Sequence, residues 1–320
     1  MLRANHAVRL GLRAASRNPE LPFVRALIDQ GGNFLAGLPI VFAGLLALGA
    51  AVGAAQGDGF RAAARALNAL SQLGWPVLGG VAAALAIGFT AGMLFWAGAV
   101  PLLAADAELD RRPPAGNFSV LVSRGAARTL AAGILGSGIS LLFLLACAAA
   151  LFIAVPVALL RPSGPFFAGV ALVGAAALLG HLLLDLLARL TLVRAAAFGD
   201  PATAAFGRAA SLLGERLGTF LLVSVAFTFL ELVVASAAAA LTGALSGAAV
   251  FRLATEILAV APRAAVGLAA AAVFAWLEVG RMGALAAVAA DLEGLIEPPA
   301  PQEPPPVAEL VVEALPADDA

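Results

Sequence analysis

The sequence predicts an all-α, polytopic membrane protein with six transmembrane helices arranged as three helical hairpins with interfacial elbow helices. Three observations carry this reading. There are six long apolar stretches, at about residues 34–56, 75–104, 126–160, 166–197, 217–242 and 263–290. The arginines fall unevenly between them. The run-in to each odd-numbered stretch follows a similar pattern.

A helix needs about 20 apolar residues to cross the hydrocarbon core, and each stretch reaches that length. Backbone polar groups in lipid must bond internally, so such stretches are helices. Hydrophobic residues make up 62% of the chain and charged residues 12%. An average soluble domain has about 45–50% and 25%. The chain divides into a basic amphipathic segment (residues 1–33), a six-helix membrane domain (34–290) and an acidic, Pro-rich tail (291–320). The segment before the first stretch is too long for a signal-peptide n-region, so that stretch is expected to remain as a span.

Lys and Arg near helix ends set orientation. The N-terminal tail, the 105–128 and 189–216 loops and the end of the sixth span carry 14 arginines; the opposite side carries five: Arg61, Arg65, Arg161, Arg252 and Arg263. Both termini are therefore expected in the cytoplasm. The absence of lysine, with abundant Ala, Gly and Arg, points to a GC-rich bacterial source and thus to an inner membrane.

On the opposite side, RPSGP at 161–165 forms a tight turn. Residues 57–73 and 248–261 place apolar side chains at helical spacing among Arg61, Arg65, Arg252 and Glu256. Both read as short helices lying on the outer membrane surface. The alternative is that each extends a membrane helix beyond the bilayer.

In each run-in a proline precedes a phenylalanine by four or five residues: Pro19–Phe23, Pro114–Phe118 and Pro201–Phe206. Proline stops the incoming chain and opens a new helix. An arginine follows in each (Arg25, Arg124, Arg208). Three hairpins, each with an elbow, account for the whole chain.

The texts GLRAASRNPEL, DLLARLTLVRAAAFGDPATAAFGRAASLLGERLG and FAWLEVGRMGALAAVAADLEG resemble a bacterial family of six-helix integral membrane proteins. That family is similar to the membrane domain associated with some glycerophosphodiester phosphodiesterases. The resemblance covers about residues 10–290. It implies the six-helix architecture without the phosphodiesterase barrel, and it implies no assigned chemistry.

Ionisable residues inside membrane helices mark functional sites by default. The fourth span carries His181, Asp185 and Arg189 at i, i+4 and i+8, on one face. The fifth carries Glu231; the sixth carries Glu278 and Arg281. On the structural reading, Asp185–Arg189 and Glu278–Arg281 pair within their helices and bridge the fourth and sixth spans. On the functional reading, His181, Asp185, Glu231 and Glu278 line a polar cavity or proton path. A third reading lets the charges snorkel to the interface. Glu231 has no evident partner in the sequence. Counted from its helix end, it lies nearer the outer half.

GxxxG at Gly49–Gly53 and Gly88–Gly92 suggests close helix contacts. Without lysine there is no Walker A loop, Schiff base or Ser–Lys dyad. Two histidines and a single cysteine, Cys147, leave no zinc signature or internal disulfide. Ser137 in LGSG lacks the glycine of a rhomboid-like pattern. Neither a catalytic residue nor a cofactor is therefore expected. The expected function is a non-enzymatic scaffold or accessory component of a membrane process. The alternative is a small-solute or lipid transporter built on the polar cluster between spans four, five and six. Expected partners are the lipid bilayer and a protein docking on the acidic tail, not nucleic acid. The sequence does not fix the oligomeric state.

Overall fold

The computed structural model of the chain describes residues 2–54, 59–109, 118–160, 164–247 and 253–296. Among them are seven helices and no strand: α1 (Ala4–Arg17), α2 (Glu20–Ala54), α3 (Gly59–Leu109), α4 (Phe118–Leu160), α5 (Gly164–Ala197), α6 (Ala202–Gly247) and α7 (Leu253–Leu292). Helices α2 to α7 are each long and apolar enough to span a membrane. They pair as the expected hairpins, α2 with α3, α4 with α5 and α6 with α7. The hairpin turns lie outside the described residues.

Two of the run-in prolines open helices as expected: α2 begins directly after Pro19 and α6 directly after Pro201. Pro114 is outside the described residues. The elbows differ from expectation. Helices α2 and α4 run unbroken from run-in to span, and only α6 bends, at Arg216 (φ −135°, ψ 35°). The three phenylalanines are not equivalent either. Phe23 is exposed, whereas Phe118 packs on Phe95 with ring centroids 6.4 Å apart.

The two outer surface helices are corrected. Residues 59–73 and 253–261 are the first turns of α3 and α7. Leucine and alanine sustain the helix across both segments, and nothing in them stops it. The prolines beyond, Pro76 and Pro262, lie inside continuous helices. Prolines are tolerated in membrane helices where neighbouring groups satisfy the freed carbonyls. At 51 residues, α3 is about 76 Å long, more than twice the hydrocarbon thickness of about 30 Å.

The core sits at one end. Ala7 and Ala14 of α1, Leu103 of α3, Val193 of α5, Phe220 of α6 and Leu285 of α7 are fully buried. Towards the other end most side chains are exposed. In each span, 22% or less of the most apolar 18-residue window is buried within the protein. The large side chains there, such as Phe42, Leu142 and Phe152, face the surroundings, as suits contact with lipid tails.

Helix α1 organises the packed end. It runs antiparallel along α7, with Leu2 N donating to Asp291 Oδ2 (2.8 Å) and Trp276 Nε1 donating to Ser16 Oγ (3.3 Å). Its buried stripe is Ala7, Gly11, Ala14 and Ala15. Small residues let two backbones approach closely. A Cβ on Gly11 would lie 2.1 Å from the carbonyl oxygen of Gly280. The opposite face of α1 is polar and exposed, with His6, Arg9 and Arg13.

The boundary of the tail also shifts. Asp291 and Leu292 close α7, and Ile296 packs on the core. The remainder, 297–320, lies outside the described residues. Of the two GxxxG pairs, Gly88–Gly92 faces α2, where a Cβ would lie 3.6 Å from Gly32 Cα and 3.1 Å from Arg25 Nη1. Gly49 faces open space.

Because the α1 contact leaves no room for a side chain, Gly11→Leu should destabilise the protein by at least about 1–3 kcal/mol, the usual cost of overpacking. Gly37→Leu, at a position with nothing within 4 Å, should leave the thermal midpoint in detergent unchanged. Equal midpoints for the two variants would refute this docking.

Candidate functional site: a charged cleft between the hairpins

Glu278 lies in α7 between two arginines from different hairpins. Arg25 of α2 reaches it with both forks, Nε to Oε2 at 2.8 Å and Nη2 to Oε1 at 3.3 Å. Arg189 of α5 approaches from the other side, Nη1 to Oε1 at 3.6 Å. Each arginine also holds an acid on its own helix one turn away. Arg25 Nη2 is 3.0 Å from Asp29 Oδ1, and Arg189 Nε is 2.8 Å from Asp185 Oδ2. The result is a chain of ions, Asp29–Arg25–Glu278–Arg189–Asp185, that crosses three helices.

The Arg25 guanidinium also stacks over Trp96 of α3, 5.3 Å from the ring centroid. A cation over an indole face is held by the ring quadrupole. Trp96 in turn packs edge-on against Phe95. Gly92 gives Arg25 room beside α3, since a Cβ there would lie 3.1 Å from Nη1.

Arg281 belongs to a second group. Its Nη2 is 2.7 Å from Glu231 Oε2 and donates to Thr228 Oγ1 at 3.4 Å. The guanidinium is almost fully buried and stands 6.0 Å from the Phe227 ring centroid.

These positions alter the sequence-based picture in three ways. Glu231 is not without a partner, because it pairs with Arg281. It also lies at the level of Arg281 rather than in the outer half. α6 bends at Arg216, so a residue count from its inner end does not measure depth along the bundle. Glu278 and Arg281 were expected to pair with each other, yet each takes a partner on another helix. Asp185–Arg189, with its bridge to α7, is present as expected. His181 is half-buried one turn from Asp185, and its Nδ1 has no hydrogen-bond partner. Arg25, the strongest partner of Glu278, was not among the predicted site residues. Its only signal as a site residue was its place after a run-in proline, as with Arg124 and Arg208, though the spacings differ.

The Asp29–Asp185 chain lines a partly open cleft of about 390 Å³ between the α2/α3 and α4/α5 hairpins, floored by α7. Asn33, Ser137, Phe89 and Met93 complete the part of the wall nearest the charges. Neither Glu231 nor Arg281 lines it. Among the described residues, no group of three or more His, Cys, Asp or Glu side chains is placed to hold a metal ion.

A separate ion group fixes the packed end. Arg194 is buried and clamps Asp200, with Nε 2.8 Å from Oδ2 and Nη2 2.7 Å from the same oxygen. It also contacts Glu293 beyond the end of α7. Arg208 holds the other oxygen of Asp200 at 3.0 Å. Gly199 supplies a positive φ of 77° for this corner, and its carbonyl accepts from Arg128 Nη1 at 3.0 Å. Arg17 and Asn18 fix Asp106 at the end of α3, each at 3.2 Å. These pairs tie helix ends together.

No protein family, curated protein or solved structure matches the chain.

Breaking a buried pair by removing one partner costs about 3–5 kcal/mol. Arg281→Ala should therefore destabilise the bundle by that order. Glu231→Gln keeps an acceptor for Arg281 but removes the compensating charge, so its cost should be smaller yet measurable, about 1–3 kcal/mol. Unfolding in mixed micelles provides the readout. A silent Glu231→Gln would mean that this pair contributes nothing.

Proposed function

We propose that the protein is a non-enzymatic bacterial inner-membrane protein, with both termini cytoplasmic, that takes up a small solute or a lipid headgroup in the cleft between its hairpins. The single observation that carries this reading is the position of the ion chain. It lines an open cleft where a purely structural network would be sealed. Ions are costly in the bilayer and persist there mostly in pairs or beside water. Here each ion has a partner within the chain, and the network borders open space. Polar groups converging on a concavity with apolar walls are the usual form of a small-molecule site. The six-helix architecture agrees with the family resemblance noted above, which assigns no reaction.

A second reading retains the scaffold role. Its support is that Asp29, Arg25, Glu278, Arg189 and Asp185 all have ionic partners within the chain. A scaffold needs its cluster dry, whereas a carrier needs it wet. The acidic tail serves a protein partner on either reading.

The two readings part at Ser137. In a Cys147→Ala background, a thiol placed by Ser137→Cys should react with a positively charged, membrane-impermeant methanethiosulfonate applied from the cytoplasmic side. It should be protected from the same reagent in intact cells. Lack of reaction from either side would leave the cleft dry and favour the scaffold. Reaction from the outer side alone would invert the orientation.

A further inference from the structure

We infer that the cleft is built for a protonated amine. This rests on the reading of the cleft as a binding site and adds the chemistry of the ligand. The charged lining consists of three carboxylates, Asp29, Asp185 and Glu278, and two guanidiniums, Arg25 and Arg189. Every guanidinium is matched, and one negative charge remains. The nearby Glu231–Arg281 pair is neutral as a unit, so it does not supply the missing cation. In a low-dielectric setting a leftover charge is costly, and a cationic ligand removes that cost.

The exposure of the side chains points the same way. The side chains of Asp29 and Asp185 are 38% and 34% exposed, against 15% for Arg25 and 21% for Arg189. Arg25 is enclosed by two acids and the face of Trp96. Arg189 is enclosed by two acids. The acids on the lining are thus more exposed than the guanidiniums, and the Asn33 amide and the Ser137 hydroxyl join them there. An anion would face the more exposed acids. An ammonium has three donors and no acceptor, and it matches that lining. Ile28, Leu85 and Phe89 continue the wall as an apolar surface against which an alkyl chain can lie. Both the headgroup of an amino-phospholipid and a free alkylamine present this chemistry.

Tryptophan fluorescence can test the assignment on the full chain. Trp75→Phe and Trp276→Phe leave Trp96, beside Arg25, as the sole reporter among the three tryptophans. Titrating n-octylammonium into the protein in phosphatidylcholine nanodiscs should give a saturable change in Trp96 emission. Octanoate should give none. Asp29→Asn, at a side chain exposed enough to tolerate the change, should weaken octylammonium binding at least tenfold. Ser137→Phe, which takes up space without changing the charge of the lining, should abolish it. In phosphatidylethanolamine nanodiscs a weaker apparent affinity for octylammonium would identify the lipid headgroup as the competing ligand. An unchanged affinity would identify the free amine. Saturation by octanoate, or full affinity in Asp29→Asn, would overturn the amine assignment while leaving the cleft as a binding site. No saturable response to either amphiphile, with Ser137→Phe indistinguishable from the parent, would overturn the cleft reading as well.

Discussion

Glu278 is the acid on which the relative placement of the three hairpins depends. An ion within a membrane domain must find its counter-ions inside the protein. Glu278 finds one in α2 and another in α5, so one carboxylate on the third hairpin registers the first and the second. The two arginines repeat the device locally, each holding a second acid one turn along its own helix. Such i,i+4 pairs add little by themselves. Here they keep each guanidinium aimed at α7 and leave the acids facing the cleft. Packing alone would not do this, because lipid tails are as apolar as leucine and give helices no hydrophobic reason to associate.

The packed end supplies the rigidity that the spans lack. Helix α1 packs against α3, α6 and α7 at this end, with its polar face exposed. Its small-residue stripe brings it against the α7 backbone, just below the level of Glu278. The Arg194–Asp200–Arg208 and Arg17–Asp106 corners then fix the helix ends around it. Beyond this layer most side chains are exposed, and the cleft opens above a tightly packed base. That arrangement suits a site whose ligand arrives from the membrane or from the aqueous phase beside it.

Much of this was legible in the sequence. The six spans, their pairing and the helix starts after Pro19 and Pro201 follow from hydropathy and from proline chemistry. So does the Asp185–Arg189 pair, because i,i+4 spacing fixes it locally. The partners of Glu278 and Glu231 were not legible. Which arginine meets which acid depends on helix crossing and relative depth, and neither is encoded by counting from helix ends. Arg25 was hidden because it reads equally well as one of several positive-inside arginines. The role of α1 was hidden for a similar reason. Arg3, Arg9 and Arg13 mark it as a basic surface helix, while Ala7, Gly11 and Ala14 are too ordinary in an alanine-rich chain to announce a docking face. The mistaken surface helices at 57–73 and 248–261 show the converse. An amphipathic pattern says which face is polar, and says nothing about whether the helix continues.

The central claim is that Glu278 and Arg25 are energetically coupled across two hairpins. A double-mutant cycle on Arg25→Gln and Glu278→Gln, followed by reversible unfolding in bicelles, measures that coupling directly. Each single change should cost up to about 3–5 kcal/mol, because it removes one of the two ionic partners of the ion that remains. The double variant should cost less than the sum by about 0.5–3 kcal/mol, the range for residues in contact. Additivity to within about 0.3–0.5 kcal/mol, as for independent sites, would contradict the claim.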